Sequence, residues 1–520
     1  MTARAASANY NAAEALIAPN IGAGRGDKAA FIDDARQLTY GQLHERVRRF
    51  AAGLTALGIA REERVLLCLL DTIDFPVAFL GAIYAGIIAV PVNTLLTTQG
   101  YDFMLRDSRA RALVVSSALL PTLAPTLDAS PDLRAIIVSG EPASQPSSHQ
   151  MPSRSFDRVL ETAPQPAPAM THTDEPCFWL YSSGSTGTPK GTVHVHTSLV
   201  ETAELYAKPV LGIVESDVVF SAAKLFFAYG LGNGLTFPMS VGATAVLMAE
   251  RPTPASVARV LRTHRPTIFY GVPTLYNAML ASPELPTRAE MRLRRCPSAG
   301  EALPAETGRR WRAHFGVDIL DGIGSTEMLH IFLSNRPGEV RYGTTGVPVP
   351  GYALRLVDDE GQPVPDDTIG ELQVCGPTAA AYYWNDRERS RATFHGPWTK
   401  SGDKYMRGAD GFYTYCGRTD DMLKVGGIYV APFEVEAMLG THEKILEAAV
   451  VGQADEAGLI KPKAYVVLRA GVTGDAALVA ELQAFVKARL AAYKYPRWIE
   501  FLPELPKTAT GKIQRFKLRL

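Results

Sequence analysis

Cysteine and net charge are both scarce in this sequence. The five cysteines among 520 residues are widely spaced and form no C-x-x-C pair, so neither a zinc site nor a disulfide framework is indicated. Lysine plus arginine and aspartate plus glutamate each number 53, and a net charge of zero provides no basic face for nucleic acid or an anionic membrane. These absences favour small-molecule chemistry in a reducing compartment.

Long uninterrupted apolar runs are also missing. The N-terminus has no apolar segment of the signal-peptide kind, and long apolar runs such as residues 75–92 contain Pro91 and glycine breaks. We therefore expect a soluble cytoplasmic protein, a monomer or a homodimer, with no membrane or nucleic-acid partner. The length predicts two or more domains.

Apolar periodicity predicts an α/β fold. Strand-like runs such as residues 65–70 alternate with helical patterns such as residues 75–84 up to about residue 320. From Gly346 onward, short strands separated by turn signals predict a small β-barrel or sandwich, and a compact α+β unit begins near residue 420. We predict a large N-terminal domain (1–419) of two α/β subdomains plus the barrel, and a small C-terminal domain (420–520).

One stretch, residues 181–191, reads Tyr-Ser-Ser-Gly-Ser-Thr-Gly-Thr-Pro-Lys-Gly between two strand-like runs. Glycines let backbone N–H groups approach an anion, hydroxyls add donors, and a lysine adds charge, so the stretch could hold a polyphosphate. An ordinary loop is the alternative. A Walker A loop is excluded because Pro189 precedes the lysine and a strand follows it. The candidate phosphate ligands are Ser182, Ser183, Gly184, Ser185, Thr186, Gly187 and Lys190.

From Ser183 to Gly191 this stretch resembles the phosphate loop of the acyl-adenylate-forming enzymes, which include acyl-CoA synthetases, adenylation domains of peptide synthetases and luciferases. The resemblance implies ATP and a carboxylic acid as substrates. It also implies a small C-terminal domain that is mobile.

Residues 321–327, Asp-Gly-Ile-Gly-Ser-Thr-Glu, follow a predicted strand and resemble a second signature of that family. The resemblance implies that Thr326 binds the α-phosphate and that Glu327 is the Mg²⁺ ligand, which suits a cation that prefers oxygen. A turn leading into a capped helix is the alternative. The implied nucleotide-pocket residues are Asp321, Gly322, Ile323, Gly324 and Ser325, together with Ala299, Gly300 and Glu301 on the other face of adenine.

Further signatures lie toward the C-terminus. Asp403 has two acceptor oxygens for the hydroxyls of a ribose, and the resemblance adds Arg418 as a second ribose contact. It also implies a domain hinge at Asp420 and a thiol channel lined by Gly426 and Gly427. Lys512, which would otherwise read as a solvated lysine, is implied to be the catalytic lysine, together with Thr326 and Glu327.

The acid pocket is expected around residues 224–231, where the family places it. No aspartate stands there to bind an amino-acid ammonium, and the residues form a flat slot that suits an aromatic acid such as benzoate. The candidate acid-binding residues are Phe227, Ala228, Tyr229, Gly230, His330 and Ile331.

CoA is the expected thiol acceptor, because the chain shows no carrier domain after residue 512 and because Tyr493, Lys494 and Arg497 lie where related ligases contact CoA. The predicted cofactors and substrates are thus ATP, Mg²⁺ and CoA. A ligase for a substituted benzoate, an alicyclic acid or a short fatty acid remains an alternative, as does a non-catalytic nucleotide sensor. His194 and His196 could form a metal pair, but packing is favoured because no third ligand is near.

Overall fold

The computed structural model describes residues 9–141, 153–183, 189–419, 421–425, 428–456, 458–491, 493–507 and 513–519. Strands and helices alternate through the first three hundred residues, as the apolar periodicity predicts. The α-helices are Ala12–Gly22, Tyr40–Ala56, Asp74–Tyr84, Thr98–Ser108, Leu120–Leu127, Phe156–Leu160, His196–Thr202, Ala228–Leu231, Phe237–Val241, Pro254–His264, Pro273–Leu280, Ala305–Phe315, Arg387–Thr393, Pro432–Gly440 and Ala476–Lys487.

An eight-stranded sheet carries the predicted phosphate loop. Its inner strands are parallel and buried on both faces, which explains their unbroken apolar sequences. In spatial order the strands are Tyr382–Tyr383, Pro189–Val195, Pro176–Ser183, Ile88–Pro91, Arg64–Cys68, Ala112–Ser116, Ala135–Ser139 and Ser153–Ser155.

A five-stranded sheet forms the second α/β unit, and a four-stranded sheet lies next to it in sequence. Thr253 closes a capping box at the start of helix Pro254–His264, as its position before the apolar pattern predicts. The five-stranded sheet has the order Ile268–Tyr270, Val218–Ser221, Thr244–Val246, Ala29–Ile32 and Gln37–Thr39. The four-stranded sheet has the order Cys296–Ser298, Ile319–Gly324, Ile331–Ser334 and Val347–Pro348.

One helix joins the cores of the first two sheets. Every residue of Asp74–Tyr84 is buried, which agrees with a helix that is apolar on all sides. The same hydrophobic cluster contains Phe178 from the eight-stranded sheet and Phe31 from the five-stranded sheet. The two α/β subdomains therefore share one continuous core.

The short strands after residue 346 form an antiparallel sheet of five. Strand Trp398–Arg407 pairs with Ile369–Cys375 on one side and with Phe394–His395 and Tyr413–Arg418 on the other, while Ala353–Val357 forms the far edge. Within the described residues this pairing leaves the sheet open and does not close a barrel.

The C-terminal part has its own sheets and core. The pair Leu423–Val425 and Ile428–Val430 accompanies a three-stranded sheet of Ile445–Ala454, Ile460–Leu468 and Trp498–Phe501. Its apolar clusters contain only residues from 423 onward, so this segment packs as a separate unit. The boundary at residue 420 stays a prediction. None of the helices in the described ranges combines the length and apolar character that crossing a bilayer requires.

Candidate active site

The predicted phosphate loop connects two antiparallel strands, Pro176–Ser183 and Pro189–Val195, which we call the phosphate hairpin. Ser182 pairs with Lys190 across this hairpin, so both lie at the mouth of the loop. The Ser182 hydroxyl is buried and has no hydrogen-bond partner within the described part of the chain. A buried hydroxyl of this kind can serve a ligand that is not yet bound. Ser183 ends the first strand, whereas Gly184, Ser185, Thr186 and Gly187 lie outside the described residues.

The second signature forms a tight reversal, residues 325–330, between strands Ile319–Gly324 and Ile331–Ser334. We call it the Glu327 loop. The Ser325 hydroxyl accepts the Met328 N–H, and Leu329 takes a left-handed conformation with φ of 64°. Such a conformation is unfavourable for a leucine and persists only where neighbouring contacts enforce it.

Several contacts hold the Glu327 loop in place. Ala380 N–H donates to the Glu327 carbonyl over 2.7 Å, and the Thr378 hydroxyl donates to the Met328 carbonyl over 2.8 Å. Gly324 has no room for a side chain, because a Cβ there would lie 2.5 Å from the carbonyl oxygen of His330. The loop is therefore rigidly positioned before any ligand binds.

His194 links the Glu327 loop to the phosphate hairpin. Its Nε2 lies 2.8 Å from the carbonyl oxygen of Thr326, and its ring stacks on Phe178. His196 instead begins a helix and accepts the Ala12 N–H at Nδ1. These contacts support the packing role predicted for the two histidines.

Lys190 and Glu327 meet on one tyrosine. Tyr383 Oη donates to Glu327 Oε1 over 2.7 Å, and Lys190 Nζ donates to the same Oη over 3.1 Å. Lys190 Nζ also lies 3.7 Å from Glu327 Oε1 and 4.3 Å from the centre of the Tyr383 ring. The lysine and the carboxylate predicted from two separate motifs thus form one cluster.

Tyr383 is a site residue that sequence reasoning missed. No motif marks it, and its ring reaches the cluster only because strand Tyr382–Tyr383 pairs with Pro189–Val195 at the edge of the eight-stranded sheet. Burial, followed by the nearby Glu327 carboxylate, raises the pKa of the phenol, so the hydroxyl stays protonated at neutral pH and can donate a hydrogen bond.

The predicted adenine-flanking segment lies beside the Glu327 strand. Strand Cys296–Ser298 runs parallel to Ile319–Gly324, with Ser298 opposite Asp321, and Gly300 turns the chain with φ of 98°. Ala299 is buried, and Glu301 accepts a hydrogen bond from the Thr274 hydroxyl over 2.7 Å.

Two orphan polar atoms lie on these strands. Ser298 Oγ and Asp321 Oδ1 are buried and have no hydrogen-bond partner among the residues that the structure describes. Burial raises the pKa of the Asp321 carboxyl well above its usual value. Gly322 and Ile323 continue the strand that carries Asp321, and Ile323 is partly exposed.

The predicted ribose contacts also come together. Asp403 and Arg418 are cross-strand partners, and Arg418 Nη1 donates to Asp403 Oδ1 over 3.1 Å and to the Ser401 carbonyl over 3.2 Å. Gly402, which lies between Ser401 and Asp403 in the chain, has φ of 74°, which glycine adopts without strain. The carboxylate is 7% exposed, so it is nearly buried beneath the guanidinium.

The predicted acid pocket is built around the short helix Ala228–Leu231, which begins directly after Phe227. Gly230 permits this turn, because a Cβ there would lie 2.0 Å from the Lys224 carbonyl oxygen. Phe227, Ala228 and Tyr229 remain partly exposed, as a pocket wall requires, and they pack against the main core.

His330 closes the pocket from the Glu327 loop, with ring centroids 5.5 Å from Tyr229 and 4.5 Å from Phe237. Its Nε2 lies 3.1 Å from Asn233 Oδ1. Burial lowers the pKa of His330 to about 3, so the imidazole is neutral. Ile331 is buried beside Gly322. These walls are flat and uncharged.

Comparison with known proteins identifies the family to which this chain belongs. Residues 20–384 match the model of the AMP-binding enzyme family, and residues 434–512 match the C-terminal domain of AMP-binding enzymes. The chain belongs to the AMP-binding enzyme family. It is 60% identical over 512 residues, 98% of this chain and 96% of the relative, to a benzoate–CoA ligase of Thauera aromatica.

Two further members of the AMP-binding family are similar over nearly the whole chain. A 4-hydroxybenzoate–CoA/benzoate–CoA ligase of Rhodopseudomonas palustris is 52% identical over 514 residues, which are 98% of this chain and 94% of the relative. The crystal structure of a benzoate CoA ligase from Burkholderia xenovorans LB400 superposes with a TM-score of 0.91 at 57% identity and covers 98% of this chain and 100% of that one. The predicted family and fold are thereby confirmed.

The remaining predicted residues belong to the C-terminal part of the chain. Asp420, Gly426, Gly427 and Lys512 lie outside the described residues. The segment around Lys512 is bounded by a bridge between Lys507 and Ile513, the two described residues that flank it.

Arg515, just after that segment, is firmly held. Its guanidinium donates to both oxygens of Glu436 over 2.7–3.1 Å and lies 3.7 Å from Asp421, next to the predicted hinge. The chain that follows Lys512 is therefore anchored to the start of the C-terminal domain.

The predicted CoA contacts form a cationic and aromatic surface. The Arg497 guanidinium lies 4.0 Å from the Tyr495 ring centre, and Lys494 pairs with Glu434 over 2.6 Å near Tyr493. Tyr495 was not among the predicted contacts, yet it is the ring on which the arginine rests.

Proposed function

We propose that this protein activates benzoate, or a close aromatic acid, as an acyl-adenylate and transfers it to CoA, giving benzoyl-CoA, AMP and pyrophosphate. The observation that carries the proposal is the contact between the rings of Tyr229 and neutral His330, whose centroids lie 5.5 Å apart next to the Glu327 loop. An aromatic ring packs well against such rings. Relatives at 60% and 52% identity with benzoate in their names support the same substrate.

ATP would span the phosphate hairpin and the Glu327 loop. We assign the phosphates to Ser182, Lys190 and the hairpin residues between them, the α-phosphate to Thr326, and the ribose to Asp403 and Arg418. Adenine would lie against residues 299–301 and residues 321–325, which come from two neighbouring strands and the turns that follow them. The orphan Ser182 hydroxyl and the Asp321 oxygen support this placement, because buried polar atoms without partners cost stability unless a ligand satisfies them.

Mg²⁺ fits the donor set. Glu327 is a partly buried carboxylate, and one of its oxygens accepts a hydrogen bond from Tyr383. The described residues contain no group of three or more His, Cys, Asp or Glu side chains that could hold a metal ion. Mg²⁺ is usually held by one or two carboxylates together with phosphate oxygens and water, so Glu327 suffices. When bound, the cation would offset charge on the phosphates.

In the first half-reaction a carboxylate oxygen of the acid bonds to the α-phosphorus and the bond to the bridging oxygen of pyrophosphate breaks. Lys190 would hold the departing phosphates, and Lys512 would stabilise charge at the phosphorus. The chain's main contribution is positioning, because His330 belongs to the Glu327 loop and contacts Tyr229 of the predicted acid pocket.

In the second half-reaction CoA, having lost its thiol proton to water, attacks the acyl carbonyl, and AMP leaves. We propose that the C-terminal domain rotates about Asp420 to exchange Lys512 for Gly426 and Gly427. Tyr493 and Arg497 would then contact the CoA nucleotide. The five cysteines are unpaired, which supports the proposed cytoplasmic location; a monomer or homodimer stays a prediction.

Benzoate-dependent exchange of labelled pyrophosphate into ATP tests this function. A panel of benzoate, 4-hydroxybenzoate, cyclohexenecarboxylate and a short fatty acid should give the fastest exchange with an aromatic acid. Oxygen-18 in the carboxylate of benzoate should appear in AMP. If the protein binds ATP but no acid supports exchange, it is a nucleotide sensor; if the AMP carries no label, no acyl-adenylate forms.

A further inference from the structure

Strand Tyr382–Tyr383 fastens the phosphate hairpin to the Glu327 loop. Tyr383 pairs with Thr192 in the hairpin, and Trp384 N–H donates to the Gly191 carbonyl over 2.7 Å. Just before the strand, Ala380 N–H donates to the Glu327 carbonyl. The backbone of five successive residues, 380–384, therefore contacts the second strand of the phosphate hairpin and the Glu327 loop.

The Tyr383 side chain repeats this connection with its hydroxyl. Its O–H donates to Glu327 Oε1 over 2.7 Å, and its oxygen accepts from Lys190 Nζ over 3.1 Å. A hydroxyl can donate once and accept as well, so both bonds can exist together. The phenol is 3% exposed and its ring packs on Phe394, with centroids 5.2 Å apart, so it has little freedom to turn away.

We propose that Tyr383 is a positioning residue, which aims the Glu327 carboxylate at the bound cation and holds Lys190 until the phosphates displace it. The inference rests on the proposed function and deepens it. Lys190 lies 3.7 Å from Glu327 Oε1 and would compete with a cation for that carboxylate. A second partner for the ammonium, on the phenol oxygen and ring face, keeps the lysine from closing fully on the carboxylate.

The consequence is confined to the adenylation half-reaction. Without the hydroxyl, the Glu327 side chain loses the donor that fixes one of its oxygens, and Lys190 loses its alternative partner. The lysine would then pair more closely with the carboxylate, and the cation would have to break that pair. Binding of the acid is untouched, because Tyr383 contacts none of the described residues assigned to the acid pocket in the hydrogen bonds and ring contacts of the structure.

Tyr383→Phe is the test variant, since it removes the hydroxyl and keeps the ring. The control is Tyr382→Phe. It makes the same change at the neighbouring tyrosine, which is 39% exposed. We expect Tyr383→Phe to need about tenfold more free Mg²⁺ for half-maximal benzoate-dependent pyrophosphate exchange, the effect of losing one hydrogen bond to a charged group. The KM for benzoate and thiolysis of supplied benzoyl-AMP should change less than about twofold.

A binding measurement separates positioning from activity. Mn²⁺ titrated into the protein with ATP, followed by electron paramagnetic resonance, should bind about tenfold more weakly to Tyr383→Phe than to the wild type or to Tyr382→Phe. In a Glu327→Gln background, adding Tyr383→Phe should have a smaller effect, because both changes act on the same carboxylate.

Three results would overturn the inference. They are unchanged Mg²⁺ and Mn²⁺ dependence in Tyr383→Phe, fully additive losses with Glu327→Gln, and equal loss of both half-reactions together with a lower unfolding temperature. The last would assign the phenol a purely structural role. A wild-type protein that shows no acid-dependent exchange would sink the proposed function instead, and the Mn²⁺ titration would still test Tyr383.

Discussion

His194 Nε2 donates to the main-chain oxygen of Thr326 over 2.8 Å, and this bond joins the phosphate hairpin to the Glu327 loop. The imidazole is buried and stacked on Phe178, with centroids 5.2 Å apart. Burial lowers the pKa of His194 to about 4, so the ring is neutral and one nitrogen carries the donated proton. His194, a histidine that could be mistaken for a metal ligand, therefore supports the backbone of Thr326, the residue proposed to bind the α-phosphate.

Replacing His194 should slow adenylate formation. His194→Ala leaves the Thr326 carbonyl without its donor, at a cost of about 1–3 kcal/mol, and opens a cavity beside Phe178. We expect benzoate-dependent pyrophosphate exchange to fall about tenfold to a hundredfold, while His172→Ala, at an exposed position, leaves it unchanged. Wild-type exchange in His194→Ala would show that the bond does not position Thr326.

Buried histidines should make the protein sensitive to acid. Burial lowers the pKa values of His194 and His196 to about 4 and that of His330 to about 3, against 6.5 for an exposed ring. Below pH 6.5 the unfolded chain binds protons that the folded chain does not, so stability is complete above pH 6.5 and is lost as the pH falls toward 4. Each histidine contributes roughly 3 kcal/mol to that loss by pH 4.

Urea unfolding midpoints at several pH values measure this loss. We expect a steady midpoint above pH 6.5 and a decline below it. His196→Asn, which keeps an acceptor for the Ala12 N–H but cannot titrate, should flatten the decline, and His395→Gln, at an exposed site, should not. A midpoint that stays constant from pH 7.5 to 5 would contradict the prediction.

The hairpin and the Glu327 loop are predictable from sequence because their signals are local. Apolar runs on either side of a Gly/Ser-rich stretch predict strand, loop and strand, and the structure has them at Pro176–Ser183 and Pro189–Val195. The family resemblance predicts an acid pocket that includes both Tyr229 and His330, and the two rings lie 5.5 Å apart, centroid to centroid. Burial then supplies what the sequence alone does not, the neutral state of the imidazole.

The role of Tyr383 is not predictable in the same way. Its partners Lys190 and Glu327 lie 193 and 56 positions away in the chain, and the contact depends on a two-residue strand at the edge of a sheet. Neither periodicity nor turn chemistry specifies which strand such a short segment joins. The same limit applies after residue 346, where turn signals predict a small barrel or sandwich. The number of strands is readable from sequence but the choice of partners is not, and within the described residues the five strands form one antiparallel sheet.

Two glycines on one helical turn offer a matched test of the acid pocket. A Cβ on Gly232 would lie 2.4 Å from His330 Cδ2, whereas a Cβ on Gly234 would meet only the tip of Leu225 at 3.0 Å. Gly232→Ala should therefore push the imidazole out of place and raise the KM for benzoate about tenfold or more, while Gly234→Ala changes it little. Equal KM values in the two variants would remove His330 from the pocket wall.

Lys512 should matter for one half-reaction only. If its ammonium stabilises charge at the α-phosphorus, Lys512→Ala loses about 3–4 kcal/mol of transition-state stabilisation, which is a loss of about a hundredfold to a thousandfold in pyrophosphate exchange. Thiolysis of supplied benzoyl-AMP should persist, because the lysine is absent from that step. Lys507→Ala is the control, since this lysine flanks the same segment but forms a partly exposed ion pair with Glu447. Equal loss of both half-reactions in Lys512→Ala would mean that the lysine has a general structural role and does not act in adenylate formation alone.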